Sequence, residues 1–138
     1  MILDANVIVA AFAGRGLCAE VFEVCLKECE IILEDDLINE IESTFQRKIK
    51  LPAEKTSSIL QFILTQARII KPNIKEKLVC RDPSDIQVLA AALETKADVI
   101  ITGDEDLLIL KKIGTTAIIT PRQFWDLMAG RKKARQKF

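Results

Sequence analysis

The chain contains no histidine and no tyrosine among its 138 residues, and it has a single tryptophan. The absence of histidine removes the commonest general base and excludes catalytic triads that depend on an imidazole. Aromatic residues make up 5% of the chain, so the stacking of nucleic-acid bases on aromatic rings is not an obvious device. Any catalysis by this chain must therefore use other side chains.

Cysteine is also scarce, because the chain has four cysteines and none of them forms a Cys-x-x-Cys pair. This spacing does not suggest a zinc site, which would need several thiols to converge. Cys18, Cys25 and Cys29 are spaced at i, i+7 and i+11, which is typical of one side of a helix. We expect these three residues to pack as small apolar side chains.

No apolar run is long enough to cross a bilayer, and no signal peptide precedes the first strand. We therefore expect a cytoplasmic protein that does not act at a membrane. Hydrophobic residues make up 49% of the chain and charged residues 29%, which is typical of a globular protein. The length predicts one domain, over residues 1–130.

The formal charge of zero is unevenly distributed. The last eight residues, 131–138, hold five basic residues and no acid. Residues 1–130 hold fifteen basic and twenty acidic residues, a net charge of −5. This basic C-terminal tail suits either a nucleic-acid-binding arm or a solvated chain end.

Apolar strands alternate with helices along the chain. The pattern predicts strands at 1–3, 31–33, 67–71, 98–102 and 117–119, and helices at 17–30, 37–49, 52–68, 83–97, 105–112 and 121–130. Such alternation is typical of an α/β protein with a mostly parallel central sheet covered on both faces. We therefore predict a three-layer α/β/α sandwich.

Several helix ends carry recognisable signals. Asp82 before Pro83 and Thr120 before Pro121 each combine a capping residue with a proline suited to the first helical position. Asp35 or Asp36 can cap the helix at 37–49. Gly130 is expected to close the last helix.

Two acids follow predicted strands directly. Asp4 comes after Met1-Ile2-Leu3, and Asp104 comes after the strand at 98–102 and one glycine. Ligands of parallel α/β sheets bind at the carboxyl ends of the strands. Both acids are therefore expected at the functional edge of the sheet.

Asp85 is a third candidate, because it falls within the apolar face of its predicted helix, one turn before Leu89. A buried carboxylate is costly unless it is paired, hydrogen-bonded or bound to a metal. Asp85 could instead cap the helix, where the dipole favours an anion. Asp82 already supplies that cap, so we favour a functional role for Asp85.

Two further acidic positions stay open at this point. Glu40 and Glu42 border opposite edges of the apolar stripe of the helix at 37–49, and helical geometry does not choose between them. Asp106 could be a second ligand or an acid in the first turn of a helix. Glu34, Asp35 and Asp36 are interpreted as capping and solvent-exposed residues.

Several carboxylates that meet at one strand edge repel one another, so a cation is expected to neutralise them. Oxygen ligands suit Mg²⁺ or Mn²⁺. Such a metal can activate water and stabilise charge on phosphate oxygens. The acids therefore predict metal-assisted hydrolysis of a phosphodiester, which needs no histidine.

The chain resembles the PIN domain family in five segments. LDANVIV at 3–9 is similar to the usual opening motif LDTNVLV, LINEIESTF at 37–45 to the second motif, and RDPSDIQVLAAALETKAD at 81–98 to the third. VIITGDEDLL at 99–108 resembles the fourth motif, and ITPRQFWDLM at 119–128 the closing helix. Ala5 departs from the pattern, since threonine is common there, but no ligand is lost.

This resemblance implies a ribonuclease that depends on Mg²⁺ or Mn²⁺ and leaves 5′-phosphate and 3′-hydroxyl ends. Its four metal-binding and catalytic acids would be Asp4, Glu40, Asp85 and Asp104, so the resemblance selects Glu40 over Glu42. Supporting residues would be Asn6 and Thr102, which order the acids or their water, and Asp106. The toxins of toxin–antitoxin systems in this family also imply an antitoxin partner and dimerisation.

Competing hypotheses differ in class. A dehalogenase-like phosphatase would need an acid two residues after Asp4, where Asn6 stands. A catalytically silent module that binds RNA or a metal would keep the fold and cut nothing. For an RNA substrate, Arg15, Arg81, Arg122 and the basic run at 131–137 are candidates for phosphate contacts.

Overall fold

The computed structural model describes residues 1–14, 16–73 and 83–136. Within these ranges the elements, in chain order, are β1 (Ile2–Leu3), α1 (Ala5–Ala13), α2 (Leu17–Glu28), β2 (Ile31–Glu34), α3 (Asp35–Arg47), α4 (Ala53–Gln66), β3 (Ala67–Ile70), α5 (Pro83–Thr95), β4 (Val99–Ile101), α6 (Glu105–Leu108), β5 (Lys112–Ile113), β6 (Thr116–Ile119) and α7 (Pro121–Gln136). No helix in these ranges combines the length and apolarity needed to cross a bilayer.

The six strands form one sheet in the order β3-β2-β1-β4-β6-β5. Every neighbouring pair is parallel except β5 with β6, which is antiparallel at the edge. Ile2 of β1 pairs with Ile32 of β2 on one side and Ile100 of β4 on the other. The predicted α/β fold with a mostly parallel sheet is confirmed.

Helices cover both faces of this sheet. In the sheet, β2 and β3 lie on one side of β1, whereas β4 lies on its other side. The crossovers from β1 to β2 and from β2 to β3 therefore run in one direction across the sheet, and the crossover from β3 to β4 runs in the opposite direction. Because crossovers between parallel strands are right-handed, these two directions place their helices on opposite faces. On one face α1 packs against α2 and α3, and α7 packs on α2; α5, from the return crossover, packs against β2 and β5. The three-layer arrangement is therefore confirmed.

The central strands lie in the core. Ile2, Leu3, Ile100 and Ile101 have no exposed surface, as expected for strands covered on both faces. Cys25 is fully buried, and Cys18 and Cys29 are half-buried at the core's boundary. The expectation that these cysteines pack as apolar residues is confirmed.

Helix α1 was not predicted, because the sequence Asn-Val-Ile-Val after Asp4 looks like a continuation of the opening strand. The structure makes Ala5–Ala13 helical, with the Asp4 side chain accepting a hydrogen bond from the Ala5 amide. Burial of Val7, Ile8 and Val9 against neighbouring helices outweighs the β-propensity of these branched residues. β5 was also missed, since two residues give no period to detect.

Three predicted helix limits are wrong. Helix α3 begins at Asp35 and its cap is Glu34, not Asp35 or Asp36. Helix α6 ends at Leu108 rather than near residue 112. Helix α7 does not stop at Gly130 but continues to Gln136, because one glycine inside a helix costs only about 1 kcal/mol relative to alanine. The backbone of the basic segment is thus helical through residue 136.

The other predicted helix starts are reproduced where the structure describes them. Helix α5 begins at Pro83, while its predicted cap, Asp82, lies outside the described residues. Before α7, the Gln123 amide donates to the Thr120 hydroxyl at 3.1 Å, and the Thr120 amide donates to the Gln123 side chain at 2.9 Å. This reciprocal pair is a capping box that fixes where α7 leaves β6.

Glu34 ends β2 and caps α3 from a buried position. Its carboxylate accepts a hydrogen bond from the Asp36 amide at 3.0 Å, and the side chain is 2% exposed. Burial, together with the charges of Asp36 and Asp35, raises the pKa of Glu34 to about 7, against the opposing effect of its backbone hydrogen bonds. The folded chain therefore holds this proton more tightly than the unfolded chain.

Substitution of Gly130 tests whether α7 continues past this residue, and substitution of Gly114 serves as a control. We expect Gly130→Ala to raise the free energy of unfolding by about 0.5–1 kcal/mol, because Gly130 lies inside α7 with open space around its Cα. Gly114→Ala is the opposite control: its φ is +58° and an added Cβ would meet Leu93 Cδ2 at 3.0 Å, so we expect a loss of about 1–2 kcal/mol. Chemical denaturation measures both. A loss of stability in Gly130→Ala would show that the helix ends at Gly130.

Substitution of Glu34 tests its raised pKa. A carboxyl whose folded pKa exceeds its unfolded value stabilises the fold below the unfolded pKa, near 4.5, and that contribution is lost as pH rises through about 7. We therefore expect Glu34→Gln to match the parent near pH 4.5 and to exceed its stability by about 3 kcal/mol near pH 8. Glu54→Gln, at an exposed first-turn position of α4, is the matched control. A pH-independent difference for Glu34→Gln would contradict the assignment.

Candidate metal centre

The carboxyl ends of the parallel strands bring several polar residues to one edge of the sheet. Asp4 follows β1, Glu34 ends β2, Thr102 follows β4 and Thr120 follows β6. The hydrogen bonding between strands continues into Asp4 and Thr102. The Asp4 amide donates to the Ile101 carbonyl and the Thr102 amide donates to the Ile119 carbonyl, both at 3.0 Å. This is the edge at which parallel α/β sheets bind ligands.

Asp4 is buried at this edge, with 6% of its surface exposed. Its Oδ1 accepts a hydrogen bond from the Ala5 amide at 2.8 Å, and its Oδ2 accepts one from the Thr102 hydroxyl at 2.7 Å. Burial raises the pKa of Asp4 and the charge of Asp104 raises it further, while the Thr102 and Ala5 hydrogen bonds act in the opposite direction. A cation beside Asp4 would relieve this cost of holding the charge.

Thr102 joins Asp4 to the loop after β4. Its side chain is fully buried, and its hydroxyl accepts a hydrogen bond from the Asp104 amide at 3.0 Å while donating to Asp4. One hydroxyl thus uses its donor and an acceptor position at the same time. The relative placement of Asp4 and Asp104 follows from these two bonds.

Asp104 is the N-cap of α6. Its Oδ1 accepts a hydrogen bond from the Asp106 amide at 2.9 Å, and its carbonyl accepts from the Leu107 and Leu108 amides at 3.1 and 2.9 Å. The other carboxylate oxygen has no part in the cap. The cap and a metal-binding role are therefore compatible for this acid.

Asp85, Asp104 and Asp106 form an acidic group at this edge. One carboxylate oxygen from each residue lies within 4.8 Å of the other two. Asp85 is 6% exposed, and the other two are half-buried. Asp85 occupies the third position of α5, where backbone amides and the helix dipole favour an anion. The expectation that Asp85 is buried is confirmed.

Other acids and polar residues that the sequence singled out, namely Asp4, Glu40, Glu42 and Asn6, lie outside this three-acid group. Asp4 adjoins it through Thr102 and through its electrostatic interaction with Asp104. Glu40 lies on α3 and is exposed, and Glu42 is half-buried on the same helix. Asn6 is exposed in the first turn of α1. Asp106, whose role the sequence left open, is inside the group.

A second acidic group consists of Glu34, Asp35 and Asp36. These residues are consecutive at the start of α3, where Glu34 caps the helix and the two aspartates occupy its first turn. Acids are stabilised at such a helix start without any metal. The sequence assigned the three residues to capping and solvent exposure; the capping residue is Glu34 rather than Asp35 or Asp36, and Glu34 is buried rather than exposed to solvent.

The donors of the three-acid group fit a hard divalent cation. All three are carboxylates, which suit Mg²⁺ and Mn²⁺. Since Mg²⁺–oxygen distances are about 2.05 Å, two oxygens on opposite sides of the ion are separated by about 4.1 Å. Oxygens within 4.8 Å of one another therefore reach this spacing through small side-chain rotations.

Comparison with known proteins gives one family. The model of the PIN domain family matches residues 1–106. A solved structure, VapBC2 from Rickettsia felis bound to a DNA fragment from their promoter, contains a chain similar to this one, with a TM-score of 0.61 and 17% identity. The match covers 86% of this chain and 96% of that chain. No curated protein matches the sequence significantly. Because the family model spans most of the chain, and its residues include Asp4, Asp85 and Asp104, this chain belongs to the PIN domain family.

Proposed function

We propose that the chain is an endoribonuclease that uses Mg²⁺ or Mn²⁺ to hydrolyse phosphodiester bonds. The observation that carries this proposal is the group of Asp85, Asp104 and Asp106, whose carboxylate oxygens lie within 4.8 Å of one another. Membership of the PIN family supports it, because nuclease activity is general in that family. The absence of histidine from the chain agrees with a mechanism that relies on a metal rather than a side-chain base.

The proposed catalytic and metal-binding residues are Asp4, Glu40, Asp85 and Asp104, with Asn6, Thr102 and Asp106 in supporting positions. The geometry favours a larger role for Asp106, which lies within the three-acid group with Asp85 and Asp104. Glu40 would have to reach the site from the second turn of α3, where its side chain is exposed. We therefore place Glu40 at the substrate-facing margin of the site.

The protein's own contribution is to hold several carboxylates in fixed positions despite their repulsion. Thr102 orients Asp4 by donating to Oδ2 and holds the Asp104 loop by accepting from its amide. Asp4 uses one lone pair on each oxygen for these bonds, which leaves the others for a cation. When bound, a divalent ion would activate water and neutralise charge on the phosphate. Asp85 lies in the first turn of α5, where the helix dipole favours a negative charge.

An RNA substrate is proposed because the family resemblance implies one. Arg122 is exposed in the first turn of α7, directly after β6, and so lies toward the same edge as the acids. Arg122 is the candidate for a phosphate contact whose side chain the structure describes, since Arg15, Arg81 and the side chains of the run at 131–137 lie outside what the structure describes. We place the activity in the cytoplasm, where RNA is abundant.

We further propose that this nuclease is the toxin of a toxin–antitoxin system. The fold neighbour from Rickettsia felis is part of VapBC2, which supports a small antitoxin protein as the partner of this chain. Homodimerisation belongs to the same proposal. The antitoxin would act by covering the acidic edge, since blocking that edge would exclude RNA from the metal.

The alternative is a catalytically silent module that binds RNA or a metal. The exposure of Glu40 and its position outside the three-acid group favour this alternative, because a nuclease site with fewer converging ligands would bind metal more weakly. The two functions differ in whether metal binding leads to cleavage.

Cleavage of a labelled single-stranded RNA tests the nuclease directly. We expect cleavage with Mn²⁺, none with EDTA, and a loss of more than about 100-fold in Asp85→Asn and Asp104→Asn, because even outer-shell partners of metal ligands are worth about 10- to 100-fold. Glu105→Gln is the matched control, since Glu105 lies between Asp104 and Asp106 in sequence but is exposed. Parent protein that binds Mn²⁺ without cutting any RNA would favour the silent module. Equal cleavage by Asp85→Asn and the parent would contradict the site.

Thermal unfolding tests the metal centre independently of activity. We expect Mn²⁺ at about 100 times its Kd to raise the Tm of the parent by roughly 10 °C, and this rise to disappear in Asp85→Asn. In metal-free buffer the same variant should be as stable as the parent or more stable, because it removes one of several mutually repelling charges. A clear loss of metal-free stability would indicate that Asp85 serves a structural role.

A further inference from the structure

Three sulfur atoms meet at the amino edge of the sheet, opposite the acids. Met1 precedes β1, while Cys25 and Cys29 lie at the end of α2 that leads into β2. The Cys25 thiol approaches the Met1 thioether at 3.4 Å. The thiols of Cys25 and Cys29 are also within hydrogen-bonding contact of each other. The described cysteines are thiols rather than disulfides.

The backbone fixes this sulfur cluster, defined as Met1, Cys25 and Cys29. The two cysteines are four residues apart on α2, a spacing that puts their side chains on one helix face. Cys29 is the C-cap, and its amide donates to the Cys25 carbonyl at 3.0 Å. The Met1 carbonyl accepts from the Ile32 amide of β2 at 2.8 Å. All three sulfur-bearing residues are therefore anchored by main-chain hydrogen bonds.

A cavity of about 610 Å³ gives access to the cluster from solvent. Met1 and Cys29 line it, together with Ile32 of β2 and Phe124 of α7. Cys25 lies behind them and is fully buried. Met1 and Cys29 are the members of the cluster that line this cavity, and the Cys25 thiol contacts both of them.

We propose that the sulfur cluster is a binding site for a soft monovalent cation, Cu⁺, held by the thiolates of Cys25 and Cys29 and the thioether of Met1. Thiolate and thioether ligands select Cu⁺ over harder ions. Zinc prefers four nitrogen or sulfur ligands in a tetrahedron, whereas the cluster offers three sulfurs and the chain has no histidine. The site is distinct from the carboxylate edge, whose oxygen donors suit hard divalent ions.

Binding replaces two S–H bonds by two Cu–S bonds and releases two protons to solvent, and the copper stays in the Cu⁺ state. Burial raises the pKa of the Cys25 thiol to about 12, and the neighbouring Cys29 acts in the same direction, while the positively charged amino terminus of Met1 acts in the opposite direction. The ion therefore displaces tightly held protons. Affinity for Cu⁺ should rise as the pH rises.

The first test is an anaerobic titration of the full chain with Cu⁺ against a competing chelator. The Cys18→Ser/Cys80→Ser variant retains Cys25 and Cys29 as its cysteines, because the chain has four. We expect it to bind one Cu⁺ with the parent's affinity. Adding Cys29→Ser should weaken binding by more than about 100-fold, since it removes a direct ligand. Equal affinity with and without Cys29, or no binding above that of free glutathione, would overturn the proposal.

The second test identifies Met1 as a ligand and does not depend on a cysteine substitution. The chain has two methionines, so a Met128→Leu variant labelled with selenomethionine carries selenium at Met1. X-ray absorption at the selenium edge, recorded after Cu⁺ loading, should show copper as a near neighbour of selenium. A spectrum unchanged by Cu⁺ would remove Met1 from the site and overturn the three-sulfur assignment.

Discussion

The hydrogen bond from the Thr102 hydroxyl to Asp4 is the contact on which the carboxyl edge of the sheet depends. It links the ends of β1 and β4, which are paired in the sheet, and the same hydroxyl accepts from the Asp104 amide. Without this hydrogen bond, the buried carboxylate of Asp4 would lie near the charge of Asp104 with one hydrogen-bond partner fewer to offset the cost of its burial. The position of Asp104 in turn determines where α6 begins and how Asp106 joins Asp85. The site is therefore built from the ends of strands and the starts of helices rather than from a long loop.

Repulsion among these acids is the second constraint on this edge. The Ala5 amide at the start of α1 donates to Asp4, and the Asp106 amide at the start of α6 donates to Asp104. Asp85 lies in the first turn of α5, where the helix dipole also offsets part of the repulsion. Burial is the main cause of the raised pKa of Asp4; the charge of Asp104 raises this pKa further, while the hydrogen bonds from Thr102 and Ala5 lower it. A divalent cation would supply the missing positive charge. The opposite edge has a different chemistry, since its clustered donors are sulfur atoms, so the proposed hard-ion and soft-ion sites lie at opposite edges of one sheet.

The sequence predicted the parts of the molecule that follow from strong local patterns. Alternating apolar strands and helices predicted the parallel sheet, and the position of Asp85 within an apolar helix face predicted its burial. Helix α1 could not be predicted, because its branched residues favour a strand until they are packed against other helices. The capping role of Glu34 was hidden by two better capping residues beside it. The relation of Glu40 to the three-acid group depends on how α3 packs, which helical periodicity alone does not contain.

The central claim is that the acids of the carboxyl edge hold a divalent cation. Crystals grown with Mn²⁺ and measured near the manganese absorption edge test it most directly, because anomalous scattering locates the metal without assumptions about activity. The account predicts a peak between Asp85, Asp104 and Asp106, within reach of Asp4. A peak at Glu34, Asp35 and Asp36, or no peak at a manganese concentration that raises the Tm, would contradict it.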